Sequence, residues 1–500
     1  MANKIMKSTL ASVLAIMSVA ASVPGTAIGN VIADTAITAS ANVVSGNFDY
    51  EELSDGTLCL VKFEGTASVV EIPAKINGKA VTKIGDKAFM GNEYITEVHC
   101  SSYDNEINEI GEFAFCNCTA LKTIDLSNRV KSSTIGRGAF ANCTSLEEIA
   151  LPCNYDGIEE GTFQRCTSIA AFNFPQNVKY IGTGAFQECT NLKEVSFYGT
   201  TIGKKAFYKC ENLSSMYTPH LVDVQDYAFF GCTSLSEIDL DYLETIGNSA
   251  FGSCSALTVL NLVSCEKLTS IGNDAFANCK NLEDVSLPEN LTTLGKRAFT
   301  NCHALKVVDI FSKKLTTIPM GAFATTGITF IAVPEGVTSI DGAAFNSCKS
   351  LVDIKLPSTL KTIAAKAFDN SGVKNVTYNG VKSQWNNIEI GEGNDVLASA
   401  NMYFNSEVVY PKVKNIEYNE QYHQFRVTWT PVEDAQAYGI AYYAAGKWRV
   451  ATQTIPSSTT TFTSPKLTAG STHKVVIAAK VNGKWDTSNL SKRAFTITVK

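Results

Sequence analysis

Phenylalanine recurs at 89, 115, 140, 163, 186, 207, 229, 251, 276, 299, 323, 345 and 368, thirteen copies spaced 21 to 26 residues apart. Alanine precedes twelve of them, and Thr162 is the exception. In the fullest copies the apolar pattern runs on. Ile135-Gly136-Arg137-Gly138-Ala139-Phe140 is followed by Cys143, Leu146, Ile149, Leu151 and Pro152, and Ile271-Gly272, Ala275-Phe276 by Cys279, Leu282, Val285, Leu287 and Pro288. Apolar residues two apart, such as Ile149 and Leu151, predict a short strand with one buried face. The Gly-x-x-Ala-Phe-x-x-Cys stretch predicts a compact turn or helical turn on the opposite side. One copy cannot bury these positions alone, whereas stacked copies align them into a continuous core. The predicted fold is a repeat solenoid, with parallel strands along one face and Phe and Ala columns behind them.

The period stops after Pro411. Residues 412–500 alternate apolar and polar in short segments between turn residues, which predicts a small all-β sandwich. At the other end, Lys4 and Lys7 precede an apolar stretch from Leu10 to Val23, and Ala39-Ser40-Ala41 offers a cleavage site, with Ala27 and Ala33 as alternatives. Pro24 and Gly25 interrupt that stretch, and it is short for a bilayer span. Residues 1–41 are therefore expected to be an export signal, leaving no transmembrane span after its removal. The expected division continues with 42–83 as an N-terminal cap, 84–378 as repeats, 379–404 as a closing cap, 405–411 as a linker and 412–500 as the sandwich. No LPxTG-type sorting signal is read near Lys500, so retention at a cell surface has no sequence explanation.

Five hundred residues, 45% hydrophobic and 18% charged, exceed what one core can organise, in keeping with an array. The formal charge of −6, without a basic run, speaks against a nucleic-acid partner. Ten of the fifteen cysteines share one repeat position: Cys118, Cys143, Cys166, Cys189, Cys210, Cys232, Cys254, Cys279, Cys302 and Cys348. Parallel side chains on neighbouring strands suit the disulfide torsion poorly. The column is thus expected to be reduced and packed as a structural ladder. Cys59, Cys100, Cys116, Cys153 and Cys265 lie outside it. The histidines, at 99, 220, 303, 423 and 473, do not combine with cysteine at a zinc-site spacing, so no metal or cofactor is expected. No GxSxG, HExxH or P-loop occurs, and Cys302-His303 falls half in the ladder and half on a turn. No catalytic residues are assigned, and a non-enzyme is expected.

In the LxxIxL strands the third and fifth positions point away from the core. Nine acids stand there against Lys355: Glu97, Asp125, Glu148, Glu194, Glu237, Asp239, Asp284, Asp309 and Asp353. Tyr217 and Phe330 add apolar contacts. A solvated sheet face needs polar residues, and carboxylates discourage aggregation. Like charges on adjacent strands nevertheless cost stability, so a partner-binding face for an extended basic protein segment or a cation-bridged glycan is the sharper expectation.

The repeat resembles that of the BspA-like leucine-rich repeat proteins, IGxxAFxxCxxLxxIxLP. The resemblance extends to an opening segment (Phe48, Tyr50, Asp55-Gly56-Thr57, Gly65, Ile72-Pro73, Ile76, Gly78, Val81, Ile84-Gly85) and a closing one (Tyr378, Gly380, Gln384-Trp385, Ile388, Ile390-Gly391, Asn394, Leu397, Ala400, Tyr403). Asn92, Thr326 and Ser371 depart from it at the ladder position, and Pro319, Asp341 and Ala364 at the turn glycine, which predicts altered turn geometry near the C-terminal end. Residues 429–442 resemble the B and C strands of fibronectin type III modules, and Leu467 to His473 their tyrosine corner, with His473 in place of Tyr. The resemblance implies a secreted or surface adhesion protein that binds an extracellular protein or glycan. An accessory role in polysaccharide attachment or degradation and a structural envelope role are the alternatives.

Overall fold

A computed structural model describes residues 43–45, 47–100, 107–126, 134–151, 155–404, 410–481, 483–487 and 489–499. The expected export signal, the linker residues 405–409 and Cys153 lie outside this set.

The array is a β-solenoid. Each turn places one LxxIxL strand in a long parallel ladder, in register with its neighbours, as in Glu194↔Ser215 and Val195↔Met216. A second parallel ladder, of two-residue strands such as Ser270–Ile271 and Thr293–Leu294, runs along another face. The periodicity did not reveal it, because such a strand buries at most one apolar side chain, as Ile271 and Leu294 show. The Gly-x-x-Ala-Phe-x-x-Cys piece is not helical. It is a run of i→i+3 turns with left-handed residues two before and two after the Phe, as at Gly138 and Asn142 or Asp274 and Asn278. Backbone bonds tie these turns across copies, for example Phe229 N–H to the Ala250 carbonyl at 2.7 Å.

Inside, fourteen phenylalanine rings from Phe63 to Phe368 form one column, with successive centroids 4.6 to 5.6 Å apart and planes tilted by no more than 30°. Phe48 packs at 45° on the first ring. Stacking is enforced by the close approach of backbones: a Cβ on Gly272 would lie 2.4 Å from the Gly247 carbonyl carbon. Glu159 and Gln225 also stand at this glycine position, beyond the three departures singled out above. Asp341 and Ala364 keep the inter-turn backbone bond, to the Ile318 and Ile340 carbonyls. Pro319 cannot donate one, and the short ladder is interrupted between Thr293–Leu294 and Thr317–Ile318.

Both caps continue the ladders. Phe48–Glu52 pairs antiparallel with Leu58–Phe63, which leads in parallel into Lys79–Ile84. The closing segment adds Glu389–Ile390 and Asn401–Phe404 to the two ladders. Asn394 ends the turn stack: its Oδ1 accepts the Phe368 N–H at 2.9 Å, and its Nδ2 donates to Ala364 and Gly391 carbonyls. The side chain thus supplies the acceptor that the next turn's backbone would have provided.

Residues 413–498 form two antiparallel sheets. Val413–Asn419, Gln424–Trp429 and Thr461–Thr463 make one. Ala435–Ala444, Lys447–Pro456, Thr472–Val481, Lys484–Trp485 and Phe495–Thr498 make the other. They share a core of Phe425, Val427, Trp429, Tyr438, Ile440, Val475 and Ile477, a small sandwich.

Candidate binding face

The ten ladder cysteines do not lie on strands. Each sits at the end of a turn, fully buried, and donates its S–H to the carbonyl of the Phe one copy earlier, at 3.0 to 3.2 Å. The column is therefore a hydrogen-bonded ladder as well as packing. The fourteen described cysteines, including Cys59, Cys100, Cys116 and Cys265, are free thiols. Burial pushes the thiols of Cys118, Cys189 and Cys302 up to about 12, and those of Cys143, Cys166, Cys210, Cys232 and Cys279 well above the ordinary value. A thiol held neutral in this way is a poor nucleophile and metal ligand. The departures lose the bond. Thr326 turns its hydroxyl to Phe323 of its own copy, and Ser371 Oγ is buried without a partner.

The long ladder places the predicted face as the pattern implies. The central residue of each strand is buried or nearly so, and Glu194, Tyr217, Glu237, Asp284, Asp309, Phe330 and Asp353 are exposed, whereas Glu97 and Asp239 are partly covered. The register changes the electrostatic reading. None of the nine acids directly opposes another across paired strands: Glu194 faces Ala171 and Ser215, Glu237 faces Ser215, and Asp284 faces Val259 and Val307. The expected cost of like charges on adjacent strands is thus largely avoided. Where acids occupy neighbouring strands, as Asp125 and Glu148 or Asp284 and Asp309 do, they stand diagonally rather than face to face. His99 stands between Glu71 and Asp125 in its row and lies 3.3 Å from the Glu97 carboxylate.

Between the carboxylates stand Tyr217, Val259, Val307 and Phe330, each 46% to 56% exposed. The face is not uniform. The long ladder is interrupted after Glu148–Ala150, after Glu237–Ile238 and after Val307–Ile310; at the central break the chain turns through Asp239-Leu240-Asp241 before Val259–Asn261 starts the next sheet. Three side-chain bonds hold the break: Thr218 Oγ1 to the Asp239 carbonyl at 2.6 Å, Cys265 Sγ to the Leu240 carbonyl at 3.0 Å, and Ser264 Oγ to Asp241 Oδ1 at 2.8 Å. A groove of about 680 Å³ opens there, lined by Glu194, Tyr217, Glu237, Asp239, Asp241 and Val259 among others. It gathers four of the eleven predicted face residues and adds Asp241, Val259 and Asn261. The remaining seven are spread along the ladder. The pattern gave no signal of the break, because Leu235-Ser236-Glu237-Ile238-Asp239-Leu240 matches the strand motif in full although the strand ends at Ile238.

Among the described residues there is no group of three or more potential metal ligands, and no helix is long and apolar enough to cross a membrane.

The family profile described as "BspA type Leucine rich repeat region (6 copies)" matches residues 82–214, 200–326 and 316–389. It indicates no enzyme family. No curated protein sequence matches the chain. A leucine-rich repeat protein from Bacteroides ovatus shares 25% identity over 72% of this chain and 99% of its own, with a TM-score of 0.55. A leucine rich cell surface protein from Faecalibacterium prausnitzii shares 25% identity over 70% of this chain and 97% of its own, with a TM-score of 0.41.

Proposed function

The chain belongs to the BspA-type leucine-rich repeat family, and from that premise we propose that it is an exported, non-catalytic adhesion protein whose long-ladder face holds an extended basic segment of an extracellular protein. A binding role fits the family in general. The observation that carries the finer reading is the groove at the ladder break, where Glu194, Glu237, Asp239 and Asp241 surround the exposed Tyr217. An aromatic anchor within a charged rim is the arrangement from which interfaces draw affinity and orientation. Export is supported by the charged, then apolar, then small-residue order of residues 1–41. Support for a fibronectin type III-like reading of 412–500 comes from the two facing sheets and from Trp429, which packs edge-on against Tyr438 at 5.4 Å. His473 takes a local partner, Ser471 Oγ at 2.8 Å.

The test starts from a pull-down of the mature protein against host matrix proteins, plant polysaccharide and bacterial wall. Reversing Glu194, Glu237, Asp239 and Asp284 to Lys should slow association with the captured protein steeply, and Tyr217→Ala should weaken it about 30-fold or more. Unchanged binding in both variants sinks the proposal. Loss of binding on chelation, with a polysaccharide as the captured partner, would replace the basic segment by a cation-bridged glycan.

A further inference from the structure

Charge is divided unevenly along the chain. Residues 42–411 carry 28 Lys and Arg against 42 Asp and Glu, a formal −14, whereas residues 412–500 carry 12 against five, a formal +7. Within the sandwich the asymmetry sharpens. The five-stranded sheet contains Lys447, Arg449, Lys474, Lys480 and Lys484 and no carboxylate. The acid that follows it, Asp486, is buried and ion-paired with Arg493.

The outer face of that sheet is also aromatic. Tyr438, Ile440, Val475 and Ile477 point into the core, so Gly439, Ala441 and Tyr443 point outward, as do Lys474 and Lys480. Tyr443 stands opposite both Trp448 and Lys474. Its ring lies 5.2 Å from Trp448, nearly perpendicular, and 5.9 Å from the Lys474 ammonium. At the other end Lys480 pairs with Trp485, whose indole lies over Gly439, where a Cβ would come within 3.0 Å of the ring. Two aromatic stations about 13 Å apart along the strand, each with a lysine beside it, are thus joined by Gly439, Ala441, Ala478 and the covered Val476, which is 1% exposed.

We propose that this face docks a phosphodiester-linked glycan of the bacterial envelope and so holds the exported chain at the cell surface. Ring faces are negative at their centres and accept the C–H groups of a sugar, while ammonium groups pair with phosphate. The proposal is independent of the partner assigned to the ladder groove.

The experiment uses the mature full-length chain and purified wall teichoic acid as the phosphodiester glycan, with neutral dextran and double-stranded DNA as comparison polymers. Binding should be selective for teichoic acid and weaken progressively with added salt. The double variant Lys474→Glu, Lys480→Glu should lower affinity about tenfold or more. Lys474→Arg with Lys480→Arg should retain binding, and Trp448→Ala should lose it with an unchanged melting profile. Absence of teichoic acid binding at low salt, equal binding of dextran or DNA, or insensitivity to charge reversal in a folded variant would overturn the proposal. So would sedimentation showing that the lysines serve only to associate copies of the chain, through the acidic ladder of a second copy.

Discussion

The repeat array and the C-terminal sandwich bury their side chains by opposite strategies. In the array one residue type fills one column: phenylalanine stacks on phenylalanine and each ladder thiol bonds the carbonyl one turn back. In the sandwich two sheets close over a mixed core in which Trp429 meets Tyr438 at 70° and no position repeats. A turn of the array therefore depends on its two neighbours, while each core residue of the sandwich depends on the whole domain. The array also concentrates one chemistry, the neutral buried thiol, that the sandwich lacks altogether, since every cysteine precedes residue 349.

Alkaline titration should separate the two regions by the largest margin. The native ladder thiols have raised pKa values because burial disfavours the thiolate, whereas in the unfolded chain they titrate near the ordinary value of 9.0. Above that value the unfolded state has released protons that the native state keeps, so stability falls as pH rises toward 12. Each thiol contributes a loss of about 1.4 kcal/mol per pH unit in that window. The array is expected to unfold cooperatively between about pH 9 and 12, with thiolate absorption appearing in the same transition. Below pH 8 this contribution is fully present. Thiolate appearing without loss of β-sheet circular dichroism would contradict the buried ladder.

Truncating a core aromatic in each region sharpens the contrast. Phe229 lies between Phe207 and Phe251 at 5.4 and 5.1 Å, and Trp429 is 1% exposed. Phe229→Ala and Trp429→Ala should each cost about 3–5 kcal/mol. Hydrogen exchange should place the first loss in the turns on both sides of residue 229, and the second across the whole sandwich. Protection lost evenly through the array in Phe229→Ala would break the nearest-neighbour picture.

Much of the array is legible in the sequence, because a column of identical residues leaves a mark at every period. Phe, Ala, Cys and Leu positions and the outward-facing acids are visible in this way, whereas the two end segments are read from the family resemblance. What escapes depends on register between turns. The short ladder has one apolar residue per strand, so Thr134–Ile135 shows no alternation. The S–H bonds require knowing that Cys143 reaches back to Phe115. The offset that keeps the carboxylates from facing one another follows from pairing, and the groove follows from the turn at Asp239-Leu240-Asp241. In the sandwich the alternating pattern is enough for the class of fold, but its charge is hidden in the chain average: −6 conceals +7 beside −14.

Glycine offers the smallest and most discriminating comparison. At Gly272 in the array an added Cβ would meet backbone of the preceding turn, the Gly247 carbonyl carbon at 2.4 Å and the Asn248 nitrogen at 2.5 Å. Other copies carry a Cβ at this position, as at Ala364, but the turns at Gly272 are packed closer than a Cβ allows, so Gly272→Ala should cost about 1–3 kcal/mol by overpacking. At Gly439 in the sandwich the Cβ would come 3.0 Å from the Trp485 ring and 3.0 Å from the Thr452 carbonyl. A side chain on a short edge strand can shift by tenths of an ångström where a turn of the solenoid cannot. Gly439→Ala is therefore expected to destabilise less than Gly272→Ala, while changing the fluorescence of Trp485 as its indole lifts from the strand. Equal destabilisation with unaltered emission would mean that Trp485 is held as rigidly as the solenoid backbone.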